Sequence, residues 1–259
     1  MNIIQSFWSK NVNCTKDSSG WLAPRFHWLS WILSSHQLIK YHDNVHLYTD
    51  EFGKKLLIDD LKLPYTKVHV ILDELNYYNK NLWAIGKIKT YHLQKEPFIH
   101  VDGDVFVWEK IDRLFKKSPL LAQNLEVTTD YYKSMWANIS PNLDFLPPEI
   151  ERFENGSNTH ACNMGIVGGN DLSFFHDYCA KSFEFVDKNK RVWETAGAYN
   201  FNVFFEQVLF YEMATNRELK IDFLLDEKTL DNNYRGFGDF DKVPIKKYLH
   251  LIGQYKRNH

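Results

Sequence analysis

At 259 residues, 44% of them hydrophobic and 16% aromatic, the chain has ample material for a packed core and lacks the low-hydrophobicity, high-charge signature of disorder. Its 31 basic and 33 acidic residues are well mixed and leave a formal charge of -2, so no electrostatic footprint for nucleic acid or an anionic membrane stands out. Three cysteines (Cys14, Cys162, Cys179) without metal-ligand spacing, an opening MNIIQSFWSKN unlike a secretory signal, and no apolar run near the ~18 residues that cross a bilayer together predict a cytoplasmic protein without a transmembrane segment.

The hydrophobic pattern predicts one α/β domain over residues 1–259. Asn2 to Phe7 reads as a first strand, followed by a polar loop from Ser9 to Gly20. Phe26, Leu29, Ile32, Leu33 and Ile39 recur near helical spacing between Arg25 and Tyr41, and Val45 to Thr49 suits a second strand. A third strand is expected at Val68 to Leu72, a helix at Leu82 to Leu93, and a fourth strand at Pro97 to Val107, broken by a polar turn. A helix ending near Lys117 and a strand at Pro119 to Gln123 continue the alternation. Residues 125–161, carrying Pro141, Pro147 and Pro148, read as a long irregular stretch and a candidate acceptor-side insertion. Then come a strand at Met164 to Gly168, a helix at Leu172 to Asp187, an amphipathic helix at Phe201 to Ala214, and a glycine- and aspartate-rich loop at Asp231 to Asp241. Strands alternating with helices imply a mixed, mostly parallel sheet covered on both faces.

Two segments carry chemistry. Pro97-Phe-Ile-His-Val-Asp-Gly-Asp-Val-Phe-Val107 is an apolar strand that breaks at Asp102-Gly103-Asp104. Ligands of open α/β sheets bind beyond the carboxyl ends of the strands, where two carboxylates can hold a hard cation, Mn²⁺ or Mg²⁺, that also bridges phosphate oxygens. Gly103 is expected to let the backbone approach that ligand. Near the C-terminus, Tyr248-Leu-His-Leu-Ile-Gly-Gln-Tyr-Lys256 spaces His250, Gly253 and Lys256 three apart, with His250 a candidate third metal ligand and Lys256 a diphosphate partner. By topology Gln5, Ser6 and Phe7 end the first strand at the nucleobase side, with Asp50 ending the second. His100, in mid-strand, reads as structural, and His160 as an ordinary loop histidine.

With those segments the chain resembles the glycogenin-type, family 8 glycosyltransferases, whose D-x-D and terminal H-x-x-G-x-x-K motifs are similar to Asp102-Gly103-Asp104 and His250-Leu-Ile-Gly253-Gln-Tyr-Lys256. Trp83-Ala-Ile-Gly-Lys87, Lys110-Ile-Asp-Arg-Leu-Phe115, Asn163-Met-Gly-Ile-Val167 and Glu206-Gln207 look like further family segments, over roughly residues 80 to 256. The resemblance implies a GT-A fold, a nucleotide-diphosphate-sugar donor (usually a UDP-sugar), a catalytic Mn²⁺ and retaining transfer to a hydroxyl of a glycan, lipid-linked glycan or protein. It implies metal binding by Asp102, Asp104 and His250, donor contacts from Lys87, Asn163, Gly253 and Lys256, and catalytic roles for Glu206 and Gln207. Where the family commonly keeps an acidic residue just ahead of its Asp-Gln pair this chain has Val203, with Asn202 or Glu206 as substitutes. Two other readings compete: a sugar nucleotidyltransferase, disfavoured because Ser9 to Gly20 holds one glycine, and a nucleotide-sugar-binding protein without turnover.

Overall fold

The computed structural model describes residues 1–10, 13–112, 115, 117–127, 130–156, 160–195, 197–225, 243–245 and 247–257. The loop expected at Asp231 to Asp241 lies outside the described residues, as does part of the helix expected before Lys117. In chain order the elements are β1 (Asn2–Phe7), α1 (Pro24–Tyr41), β2 (Val45–Thr49), α2 (Glu51–Gly53, continued by a π-helical stretch at Lys54–Asp60), β3 (Lys67–Val70), α3 (Ile85–His92), β4 (Phe98–Val101) and β5 (Val105–Val107). They continue with β6 (Leu120–Glu126), α4 (Asp130–Ile139), α5 (Glu151–Glu154), β7 (Ala161–Gly169), α6 (Leu172–Asp187), α7 (Lys190–Trp193), α8 (Ala198–Val203), α9 (Leu209–Asn216), β8 (Ile221–Phe223) and β9 (Tyr248–His250). A π-helical turn at Phe204–Val208 joins α8 to α9.

Seven strands form one sheet in the order β3-β2-β1-β4-β7-β6-β8. Four of its pairings are parallel, while β7 runs antiparallel to both β4 and β6, so the sheet is mixed and mostly parallel as expected. Alternation along the strands sends neighbours to opposite faces. Ile3, Ile99 and Val101 join Leu38 of α1 in one core cluster, whereas Ile4 and Phe98 meet Ile85 and Ile88 of α3 and Phe175 of α6 in the larger one. Complete burial of rings such as Phe98, Phe175 and Phe205 contributes about 1.5–3 kcal/mol each relative to exposure.

Three differences from the sequence reading bear on the site. The fourth strand does not resume in the main sheet: after Asp102 to Asp104 the chain leaves it, and β5 pairs antiparallel with β9, Val105 opposite His250 and Val107 opposite Tyr248. Residues 125–161 are partly regular, because α4 buries Tyr132, Met135 and Ile139 at helical spacing beneath a polar exterior. Glu51 to Asp60 is helical where no element was expected; Asp50 caps it, its carboxylate accepting the Gly53 amide at 2.7 Å.

Candidate functional site

The carboxyl ends of β1, β2, β4 and β6 and the amino end of β7 share one edge of the sheet. Asp102 follows β4 there, its amide donating to the Gly165 carbonyl of β7 at 2.9 Å. Leu251 donates to the Asp104 carbonyl at 3.1 Å, which locks the C-terminal strand beside the turn. In consequence one oxygen each of Asp102 and Asp104 and a ring nitrogen of His250 lie within 4.8 Å of one another, a set able to hold a metal ion. Two carboxylates and one imidazole suit a hard or borderline divalent cation, and Mn²⁺ accepts both donor types.

His250 is oriented from behind. Its Nδ1 lies 2.7 Å from Gln123 Oε1, an oxygen that also accepts the Tyr248 hydroxyl. An acceptor facing Nδ1 assigns the proton to that nitrogen and turns Nε2 toward Asp104 Oδ1, 3.3 Å away. The close approach needs Gly165, since a Cβ at that position would collide with the His250 ring and Gln123. Gln123 was given no site role by the sequence reading, and Gly165 was noted only as part of the segment Asn163 to Val167; the available signal for Gln123 was a polar Gln-Asn pair inside the apolar run of β6.

Each carboxylate of the turn also carries a lysine. Lys87 reaches Asp102 Oδ1 at 3.0 Å and Oδ2 at 3.1 Å, Glu206 Oε1 at 2.5 Å and the Met164 carbonyl at 3.2 Å. Lys256 lies 2.7 Å from Asp104 Oδ2. Burial works to lower the Lys87 ammonium, but Asp102 and Glu206 outweigh it and hold it above its ordinary value. Burial likewise opposes the charge on Asp104, yet Lys256 and His250 hold that carboxyl well below the usual range. Asp102 is raised, because burial and Asp104 outweigh Lys87, and the wholly buried Glu206 is raised chiefly by burial.

A second polar cluster adjoins the first. Glu126, at the end of β6, accepts Asn163 Nδ2 at 2.9 Å and the Tyr132 hydroxyl, and that hydroxyl lies 2.9 Å from Gln207 Oε1. Asn163 Oδ1 accepts the Gly165 amide at 3.1 Å. Gln207 is partly exposed beside the buried Glu206. Glu126 and Tyr132 were absent from the sequence reading, because they fell in the stretch taken as irregular.

The remaining expected residues sit nearby in supporting contacts. Gln5 is fully buried, donating to Ser34 Oγ at 3.0 Å and accepting the Tyr65 hydroxyl at 2.7 Å. Ser6 Oγ pairs with His100 Nε2 at 2.9 Å, and the Phe7 ring packs edge-on against Trp28 and Trp31. Both oxygens of Asp50 accept backbone amides, from Ser9 and Gly53. A Cβ on Gly103 would stand 2.5 Å from the Trp31 ring, so the indole beneath the turn is the reason for a glycine there, where ligand approach was expected. Gly253, at φ +53°, faces open space. His160 pairs with Tyr211 on α9, and Asn202 accepts the Ala84 amide ahead of α3 while donating to Asn81 and Ala198 carbonyls.

Comparison with known proteins supplies a family. A family model described as "Family of unknown function (DUF6734)" matches residues 1–259. The chain belongs to that family. No curated protein matches the sequence of this DUF6734 member. Among solved structures it is similar to mouse xyloside xylosyltransferase 1 in its apo form, at 13% identity and a TM-score of 0.43 over 86% of this chain and 84% of that one. It is also similar to the galactosyltransferase LgtC in complex with donor and acceptor sugar analogs, at 13% identity and a TM-score of 0.43 over 79% of this chain and 70% of that one. Likeness of that degree carries no argument about activity. No helix among the described residues is long and apolar enough to cross a membrane.

Proposed function

We propose that the chain is a metal-dependent glycosyltransferase of the GT-A type, moving a sugar from a nucleotide-diphosphate donor, a UDP-sugar, to a hydroxyl of a glycan, lipid-linked glycan or protein. One observation carries the reading. Asp102, Asp104 and His250, drawn from two segments far apart in the sequence, have ligand atoms within 4.8 Å of one another at the carboxyl edge of a mostly parallel sheet, with Lys87 and Lys256 beside them. Asp102, Asp104 and His250 would hold Mn²⁺ or Mg²⁺, which supplies Lewis-acid neutralisation of charge on the departing diphosphate. Transfer breaks the bond between the anomeric carbon and a diphosphate oxygen, forms one to the acceptor oxygen, and passes the acceptor hydroxyl's proton to the departing diphosphate. The stereochemical outcome proposed from the family resemblance is retention.

The chain's own residues divide the work. Lys256 contributes a cation at the diphosphate, and Gly253, where a Cβ would meet nothing within 4 Å among the described residues, admits close approach. Glu206, fully buried, fixes Lys87, which in turn aligns Asp102. Gln207 and Asn163, tied through Tyr132 and Glu126, border the place for the transferred sugar. Residues 125–161 contribute α4 to the acceptor side. The test is a thermal-shift panel of nucleotide sugars with Mn²⁺ and then EDTA, followed by donor hydrolysis with each hit. A metal-dependent shift with one donor supports the reading, whereas equal affinity with Mn²⁺ and EDTA, or no donor bound at all, refutes it.

A further inference from the structure

We infer that this site takes up its divalent cation and a nucleoside diphosphate as one unit, because Lys256 occupies Asp104 until a diphosphate offers its ammonium another partner. The inference rests on the donor and metal reading proposed above. Its ground is an asymmetry between the two lysines. Lys87 touches Asp102, Glu206 and the Met164 carbonyl, so a cation arriving at Asp102 leaves it two of its partners. Lys256 has no such reserve. Among the described residues Asp104 is the only carboxylate in ion-pair contact with it, and the Trp21 ring lies 5.8 Å from Nζ.

A bare divalent cation competing for Asp104 therefore meets a partly buried ammonium 2.7 Å from Oδ2 of that carboxylate, while His250 Nε2 faces its Oδ1. Like charges at such separation repel strongly where water is partly excluded, and stripping the ammonium of its carboxylate adds a desolvation cost. A diphosphate removes both penalties at once, since its oxygens can ligate the cation and accept from Lys256. Gly253, in the left-handed region at φ +53°, opens the 3-10 turn Gly253–Arg257 that carries Lys256, and a glycine there can change its backbone angles at little cost. Linkage then requires cation and diphosphate to raise each other's affinity by one common factor.

The experiment measures Mn²⁺ binding to the full chain by electron paramagnetic resonance, with and without UDP, at constant pH and ionic strength. Wild type, Lys256→Met, Lys256→Gln and Lys256→Arg are compared, with melting curves to confirm folding. In wild type, UDP should tighten Mn²⁺ binding on the order of tenfold or more. Both neutral variants should bind Mn²⁺ alone about tenfold tighter than wild type and show a much smaller effect of UDP, while Lys256→Arg keeps the wild-type pattern. Neutral variants that bind Mn²⁺ alone no tighter than wild type overturn the inference, even if UDP and Mn²⁺ still bind together. Wild type that binds Mn²⁺ neither alone nor with UDP defeats the functional reading itself, and the inference with it.

Discussion

Lys87→Met tests the buried centre of the site through stability alone, with no substrate needed. The substitution keeps a long side chain in the slot but removes the cation that Asp102 and Glu206 share. Asp102, with 24% of its side chain exposed, can recover part of its hydration; Glu206, at 0%, cannot. Breaking a buried ion pair by deleting one partner costs about 3–5 kcal/mol, because the surviving charge is left uncompensated. For a chain of this size that corresponds to a melting-temperature loss of roughly 6–20 °C. The deficit must also depend on pH with a definite sign. Burial already holds Glu206 above its ordinary value, and loss of Lys87 raises it further. The folded variant then binds a proton that the unfolded chain releases, so its stability falls as pH rises from about 4.3, by about 1.4 kcal/mol per unit, until the raised folded value is passed. Unfolding by urea at pH 4.5, 6 and 8, followed by circular dichroism, should show a small deficit at the lowest pH and the full one at the highest. Lys87→Met/Glu206→Gln should recover more than half of it. A single variant that melts within a degree or two of wild type at pH 8, or a double variant no more stable than the single, would refute the reasoning.

The other expectations concern neighbouring contacts. Gly165→Ala should displace His250 and Gln123, cost about 1–3 kcal/mol in thermal stability through overpacking, and weaken Mn²⁺-dependent UDP binding at least tenfold by calorimetry; unchanged binding would detach His250 from the metal. Asp104→Asn should abolish donor turnover while the far-UV spectrum stays that of wild type, and near-normal turnover in the folded variant would remove Asp104 from the ligand set. Asn202→Ala, which orphans the Ala84 amide, should lower stability by about 1–3 kcal/mol without changing the affinity for UDP and Mn²⁺; a selective loss of donor binding would instead place Asn202 in the site.

Local pattern was enough to predict much of the frame. Asn2–Phe7, Val45–Thr49 and Leu172–Asp187 were legible to the residue, because strict alternation and the i, i+3, i+4 recurrence of large apolar side chains each admit one regular structure. The break of the strand at Asp102 to Asp104 was legible too, since two aspartates around a glycine after an apolar run favour a turn. By contrast α4 was missed: its buried Tyr132, Met135 and Ile139 are diluted by polar and aromatic neighbours, and the prolines after it suggested a long irregular stretch.

What the sequence could not contain is the pairing of distant segments. Val105 to Val107 reads equally well as the continuation of β4; only tertiary structure turned it out of the sheet to pair with β9 and so set His250 beside Asp104. The same holds for Gly103 and Gly165, two glycines whose reasons are a Trp31 ring and a His250 ring supplied from elsewhere in the chain. Glu206 was taken from the motif as a catalytic group, yet its complete burial under Lys87 is a property of packing. Periodicity is a local quantity, fixed by backbone geometry over one or two turns, whereas register, burial and charge pairing depend on which surfaces meet, and those are decided across the whole chain.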